Sequence, residues 1–160
     1  MEKKPIKRNE HIIQLSKDHH FSLLFCWKVR TGVKLNIDME RIKKYVQYFW
    51  NNHIQPHFNE EETILFAPVK DAAVQKALDE HAGIKKQVNE LITSAKVNNA
   101  DLLKLADAVE SHVHYEEREL FPHLENILTE NQLQNIGRQL QQTQDVVSTD
   151  TFTDEFWIKK

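Results

Sequence analysis

Only one cysteine, Cys26, occurs among the 160 residues. A single thiol excludes an intramolecular disulfide and any zinc cluster built on several thiolates, and it suits a reducing cytoplasm. Glycine and proline are nearly as scarce, at three and four, which argues for long helices over strands and tight turns. An excess of charge is missing too. The net charge of −3 is too small to drive binding to nucleic acid or to an anionic membrane. No apolar run approaches the length of a membrane span. The basic start "MEKKPIKR" gives way at once to "NEH" and does not read as a secretory signal. The expectation is a cytoplasmic protein with neither nucleic acid nor membrane as a partner, present as a monomer or homodimer. What remains, 40% apolar and 28% charged, is the composition of an ordinary globular chain, and its length fits one domain over 1–160.

Apolar residues recur with the helical period in four segments. The first runs from about Asn9 to Thr31 through Ile12, Leu15, Leu23, Cys26 and Val29 and stops at Gly32. The second opens at Asn36 or Asp38, both good N-caps, and passes Ile42, Val46 and Phe49 to about Phe66, ending at Pro68. The third starts near Asp71, repeats Val74, Leu78, Ile84, Val88 and Leu91, and fades in "SAKVNNA". The fourth begins around Asp101, repeats Leu102, Leu105, Val109, Val113 and Leu120, and should end near Pro122. Short connections between helices of similar length predict an all-α, up-down-up-down four-helix bundle over about 9–127. A weaker fifth helix, "TENQLQNIGRQLQQTQ", and the tail "DVVSTDTFTDEFWIKK", anchored by Phe152, Phe156 and Trp157, complete 128–160.

Nine histidines are the abundance that needs explaining. "PHFNEEETILFAP" is nearly repeated as "HVHYEERELFP": His57, Glu61, Leu65 and Phe66 map onto His112, Glu116, Leu120 and Phe121 at a constant offset of 55. On a helix, residues four apart differ by only ~40° in direction, so each histidine and its glutamate point the same way, along the apolar stripe. His81 fills a stripe position between Leu78 and Ile84, and His19 or His20 does so between Leu15 and Leu23. Several imidazoles and at least two carboxylates inside a helical core are costly without compensation. A metal removes that cost, because neutral imidazoles and ionised carboxylates are its ligands. Mixed nitrogen and oxygen ligation, with carboxylates able to bridge, suits a pair of first-row ions, iron ahead of structural zinc. His114, His123 and His11 read as structural or solvent-facing. His53, one turn before His57, reads either as a ligand itself or as a neighbour of the site that orients a ligand. Pro56 should bend the second helix just before His57.

These segments resemble the HHE cation-binding branch of the hemerythrin family. The resemblance is carried by "KPIKR", "LSKDHHFSLLFCWKVR", "HFNEEETILF", "DEHAGI" and "HVHYEERELFP". It implies a four-helix bundle around a non-haem di-iron centre, with His20, His57, Glu61, His81 and His112 as ligands. His20 is preferred to His19 because Leu23 and Leu24 follow it as the family pattern requires. Oxygen-carrying members place the fourth-helix carboxylate five residues after its histidine, which selects Glu117, whereas helical geometry prefers Glu116 unless a π-type bulge intervenes. Those members also carry a histidine where this chain has Ala77, so water, Glu80, Glu62 or His53 would fill that position. The cofactor expected is two iron ions, with zinc or manganese as substitutes. The function expected is sensing or reversible binding of oxygen, nitric oxide, peroxide or iron, with no catalytic residue assigned. The alternatives are a di-iron enzyme acting on peroxide or nitric oxide or repairing iron centres, and a metal-poor interaction module.

Overall fold

The computed structural model describes residues 8–143 and 150–158. Of "MEKKPIKR", only Arg8 falls within them, and residues 144–149 of the tail also lie outside. Every element among the described residues is helical. Five continuous helical runs follow one another: α1 (Ile13–Lys34), α2 (residues 39–65), α3 (Ala72–Thr93), α4 (residues 99–127) and α5 (Glu130–Gln142).

Side chains in the connections start and stop these helices. Asp38 accepts from the Glu40 N–H, and Asp71 from Val74 N–H, each satisfying a first-turn donor that has no partner within the helix. Asn98 with Asp101, and Thr129 with Gln132, form reciprocal capping boxes at the starts of α4 and α5. α1 does not stop at Gly32. It continues to Lys34 and is closed by Asn36 at φ 58°, a left-handed conformation that asparagine tolerates better than most residues. Gly32 is needed for packing: a Cβ there would stand 2.7 Å from Phe156 and 3.0 Å from Ile42.

Two helices are interrupted by wide turns. The N–H groups of Gln55, Phe66 and Phe121 reach back five residues, to the carbonyls of Trp50, Glu61 and Glu116. Pro56 and Pro122 lie just beyond two of these turns. Each lacks an N–H and crowds the carbonyl four residues back, and the wider turn absorbs that conflict. Pro122 therefore does not end α4, which resumes as Phe121–Ile127. The sequence repeat reappears as geometry, since the wide turns Glu61–Leu65 and Glu116–Leu120 keep the same offset.

The core has two apolar layers. One gathers Phe25, Tyr45, Phe49, Val88, Leu105 and Val109, and Phe156 of the tail joins it. The other gathers Leu15, Leu65, Val74, Leu120, Phe121 and Leu124, together with Leu133, Ile136 and Leu140 of α5. α1 and α3 run from the second layer to the first, and α2 and α4 run back. α5 thus covers one end. The tail covers the other, with Phe152, Phe156 and Trp157 ringed around Tyr45 at 5.2, 5.6 and 5.3 Å. Arg41 holds the tail through Asp154, and Lys28 through Asp150. No described helix is long and apolar enough to cross a membrane.

Candidate metal centre

Between the two apolar layers the stripe of each long helix turns polar. Leu15 is followed by His19 on α1, and Ala77 by His81 on α3. Ile54 gives way to His57 and Glu61 on α2, and Val109 to His112 and Glu116 on α4. All six polar side chains are buried, and Glu61 and Glu116 have no exposure at all. They form two groups of four: His19, His57, Glu61 and Glu116, and Glu61, His81, His112 and Glu116. Within each group one ligand atom per residue lies within 4.8 Å of all the others. Both carboxylates belong to both groups, and each group adds two histidines of its own.

The imidazoles present Nε2 to the interior. His19 Nε2 stands 2.9 Å from Glu116 Oε1 and His57 Nε2 3.4 Å from Glu61 Oε2. His81 Nε2 is 3.1 Å from Glu61 Oε1, and His112 Nε2 is 3.2 Å from Glu116 Oε1. Nε2 of His81 and Nε2 of His112 are themselves 3.1 Å apart. Two nitrogens held by one ion at ~2.1 Å stand about 3 Å apart, so this pair already has the separation of ligands to a common ion. Glu61 Oε1 and Oε2, Glu116 Oε2 and His57 Nε2 are buried without a hydrogen-bond partner. Such lone pairs in a dry core are costly. A cation among them supplies what they lack, and the donor set fits one.

Charge explains the protonation of this core. Burial depresses the histidine pKa values, but the glutamates beside them more than reverse it. His81 is raised to about 10 against burial by the carboxylates of Glu116 and Glu61 beside it. His112 is raised to about 9, again against burial, chiefly by the charge of Glu116. His57, despite complete burial, is held well above its ordinary value by Glu61 and Asp18. Glu116, which burial alone would raise, is instead held well below the usual carboxylate range by His112, His19 and His81. Without a metal, protons on the imidazoles balance the two carboxylates.

The outer faces of the rings are also organised. Nδ1 of His57 donates to Asp18 at 3.3 Å, Nδ1 of His81 to Glu62 at 2.8 Å, and Nδ1 of His112 to Glu80 at 2.7 Å. Nδ1 of His19 faces Glu117 Oε1 at 3.6 Å. Each outer acid is the sequence neighbour of a ligand on one helix and serves the histidine of the next. Asp18 links α1 to α2, Glu62 links α2 to α3, Glu80 links α3 to α4, and Glu117 closes the ring back to α1. Such partners fix the tautomer and the ring orientation of a ligating histidine.

His57, Glu61, His81, His112 and Glu116 converge. His20 does not: it is exposed and packs on the edge of Phe21 at 5.6 Å, and His19 takes the inward position. The correction has a simple cause. From Leu15, steps of four and three residues reach His19, Ser22 and Cys26, all buried, so the helix's own stripe outweighs the apolar pair after His20. Glu117 lies outside the cluster, bonded to Ser16 and Arg8. The π-type turn starts at Glu116 and so comes too late to swing Glu117 inward. Ala77 is fully buried, and its methyl group leaves each group with two histidines. Glu62 and Glu80 do not fill that position, because they hold Nδ1 of His81 and His112. His53 stacks on Phe49 at 4.7 Å, away from the cluster. The outer acids Asp18, Glu62 and Glu80 were not assigned to this role from sequence, although Glu62 directly follows Glu61 and Glu80 directly precedes His81.

The hemerythrin HHE cation-binding domain matches residues 11–124, most of the chain and all six residues of the cluster. The chain belongs to this family. No curated protein and no solved structure matches it. The matched span of this hemerythrin-family chain ends within α4, so α5 and the docked tail lie beyond it.

Proposed function

We propose that this chain is a non-haem dinuclear metal protein that binds or senses a small oxidant or diatomic molecule, with iron as the resident metal. The observation that carries the reading is the sharing of Glu61 and Glu116 by two groups of two histidines each. Each group would hold one ion, and both carboxylates would bridge the pair. Bridging carboxylates with imidazoles suit first-row ions that change redox state, and iron fits that donor set better than a structural zinc site closed by thiolates. The bound pair would supply electrons to, or take up, a small ligand. The chain's own residues fix Nε2 of each histidine and keep bulk water out of the cluster.

The domain proposed is a single one, with α1 to α4 as an up-down-up-down bundle. The alternation of their direction between the two apolar layers supports it. A reducing cytoplasm is the proposed location, consistent with one buried free thiol.

The test is metal quantification on protein purified without oxygen, followed by an absorption spectrum on exposure to air, nitric oxide or peroxide. About two ions per chain and a reversible charge-transfer band are expected. Protein that takes up no metal would refute the reading, and catalytic turnover of peroxide would move it to the enzyme class.

A further inference from the structure

The two halves of the cluster are matched in ligands but not in surroundings. At the position after His57 stands Phe58, whereas the repeat places Val113 after His112. Phe58 lies flat on His81, with ring centroids 3.7 Å apart and planes 8° from parallel, and its ring stands edge-on to His112 at 5.3 Å. It therefore covers both imidazoles of one group. Its outer side meets Trp50 edge-on at 5.8 Å.

Outside this stack lies a groove of about 700 Å³ between α2 and α3, lined by Trp50, Phe58, Glu62, His81, Ala82 and Lys85 among others. Its floor is the Phe58–His81 pair. On the opposite side, His19 is backed by Glu117, which Arg8 and Ser16 clamp, and Phe121 stacks on His19 at 5.3 Å. The groove thus addresses the His81–His112 group. Phe58 sits on Gln55–Glu60, a short α-helical stretch between two wide turns, where the backbone hydrogen bonds are already rearranged.

We infer that this groove is the route by which a small exogenous ligand reaches the metal centre at its His81–His112 side, with Phe58 as the gate. The inference rests on the metal reading above and adds the side of approach and the size of the ligand. With ligand atoms packed within 4.8 Å of one another in each group, a species of two or three atoms suits the interior better than a larger one. Rotation of the phenyl ring off His81 opens the floor of the groove toward that group. Glu62, in the groove and bonded to His81 Nδ1, keeps the imidazole in place while the phenyl ring moves.

The experiment follows cobalt(II) uptake by metal-free protein in a stopped flow, through the ligand-field absorption of the ion, and then azide association with the loaded protein. Phe58→Ala should speed both steps at least tenfold. Ala82→Trp, at an exposed position that narrows the groove without touching a ligand, should slow azide association by a similar factor and leave the final cobalt content unchanged. Should Phe58→Ala not fold, Phe58→Leu and Ala82→Trp still decide the matter. Rates within twofold of the parent in the folded variants would overturn the gate while leaving the metal site intact. A parent protein that binds no cobalt would remove the metal reading and this inference together.

Discussion

Metal binding to this core should release protons. In the metal-free protein His81 and His112 titrate near about 10 and about 9, because two buried carboxylates need positive charge beside them. At pH 8 both rings are then almost fully protonated, and an ion taking Nε2 must displace about two protons. His57, also raised, adds to that number. Over the next unit and a half of pH, His81 and His112 lose about one proton between them without any metal, so the release should fall by about one by pH 9.5. The same linkage makes affinity rise about a hundredfold per pH unit near pH 7 to 8, about tenfold per unit near pH 9.5, and flatten only above about 10. The assay is calorimetric titration with zinc, chosen because it has no redox chemistry, in two buffers of contrasting ionisation enthalpy. The slope of the observed heat against buffer enthalpy counts the protons. A slope near zero at pH 8 would mean that the rings are neutral before metal arrives. The charge balance described for Glu61 and Glu116 would then be wrong.

Three other perturbations follow from the same geometry. Glu61→Ala removes a ligand common to both groups and should cut metal content by more than half, whereas His20→Ala should leave it unchanged; elemental analysis of the two purified variants tests this. Chelation should lower the thermal midpoint most at alkaline pH. The raised histidine pKa values stabilise the metal-free fold below the unfolded value of 6.5, and that contribution is lost as pH rises through 9 to 10. Melting curves with and without chelator between pH 6 and 9.5 should diverge with rising pH, and a gap widest at pH 6 would contradict the reasoning. Gly32→Ala puts a methyl group 2.7 Å from Phe156 and should cost about 1 to 3 kcal/mol by overpacking, read as a lower melting temperature with metal content intact.

Much of this was legible in the chain because one period runs through it. The stripe that places Leu102, Leu105 and Val109 in the core also places His112 and Glu116 there, and the same holds for Val74, Ala77 and His81. The repeat of His57–Phe66 in His112–Phe121 survives intact, down to matching wide turns. Legibility failed where a local rule competed with that period. Choosing His20 followed the spacing of two leucines, whereas the buried series Leu15, His19, Ser22 and Cys26 decides the face. Taking Gly32 and Pro122 as helix ends followed propensity. In the fold, Phe156 needs the missing Cβ at Gly32, and a π-type turn absorbs Pro122. The ring of outer acids depends on which helix lies beside which, and a single sequence does not state that arrangement.

The central claim is that two metal positions share Glu61 and Glu116. Anomalous diffraction at the iron edge, from crystals of protein loaded without oxygen, tests it most directly. The account predicts two peaks ~3.5–4 Å apart, one beside His19 and His57 and the other beside His81 and His112. A single peak with Glu61 turned away from it, or peaks only on the protein surface, would contradict it.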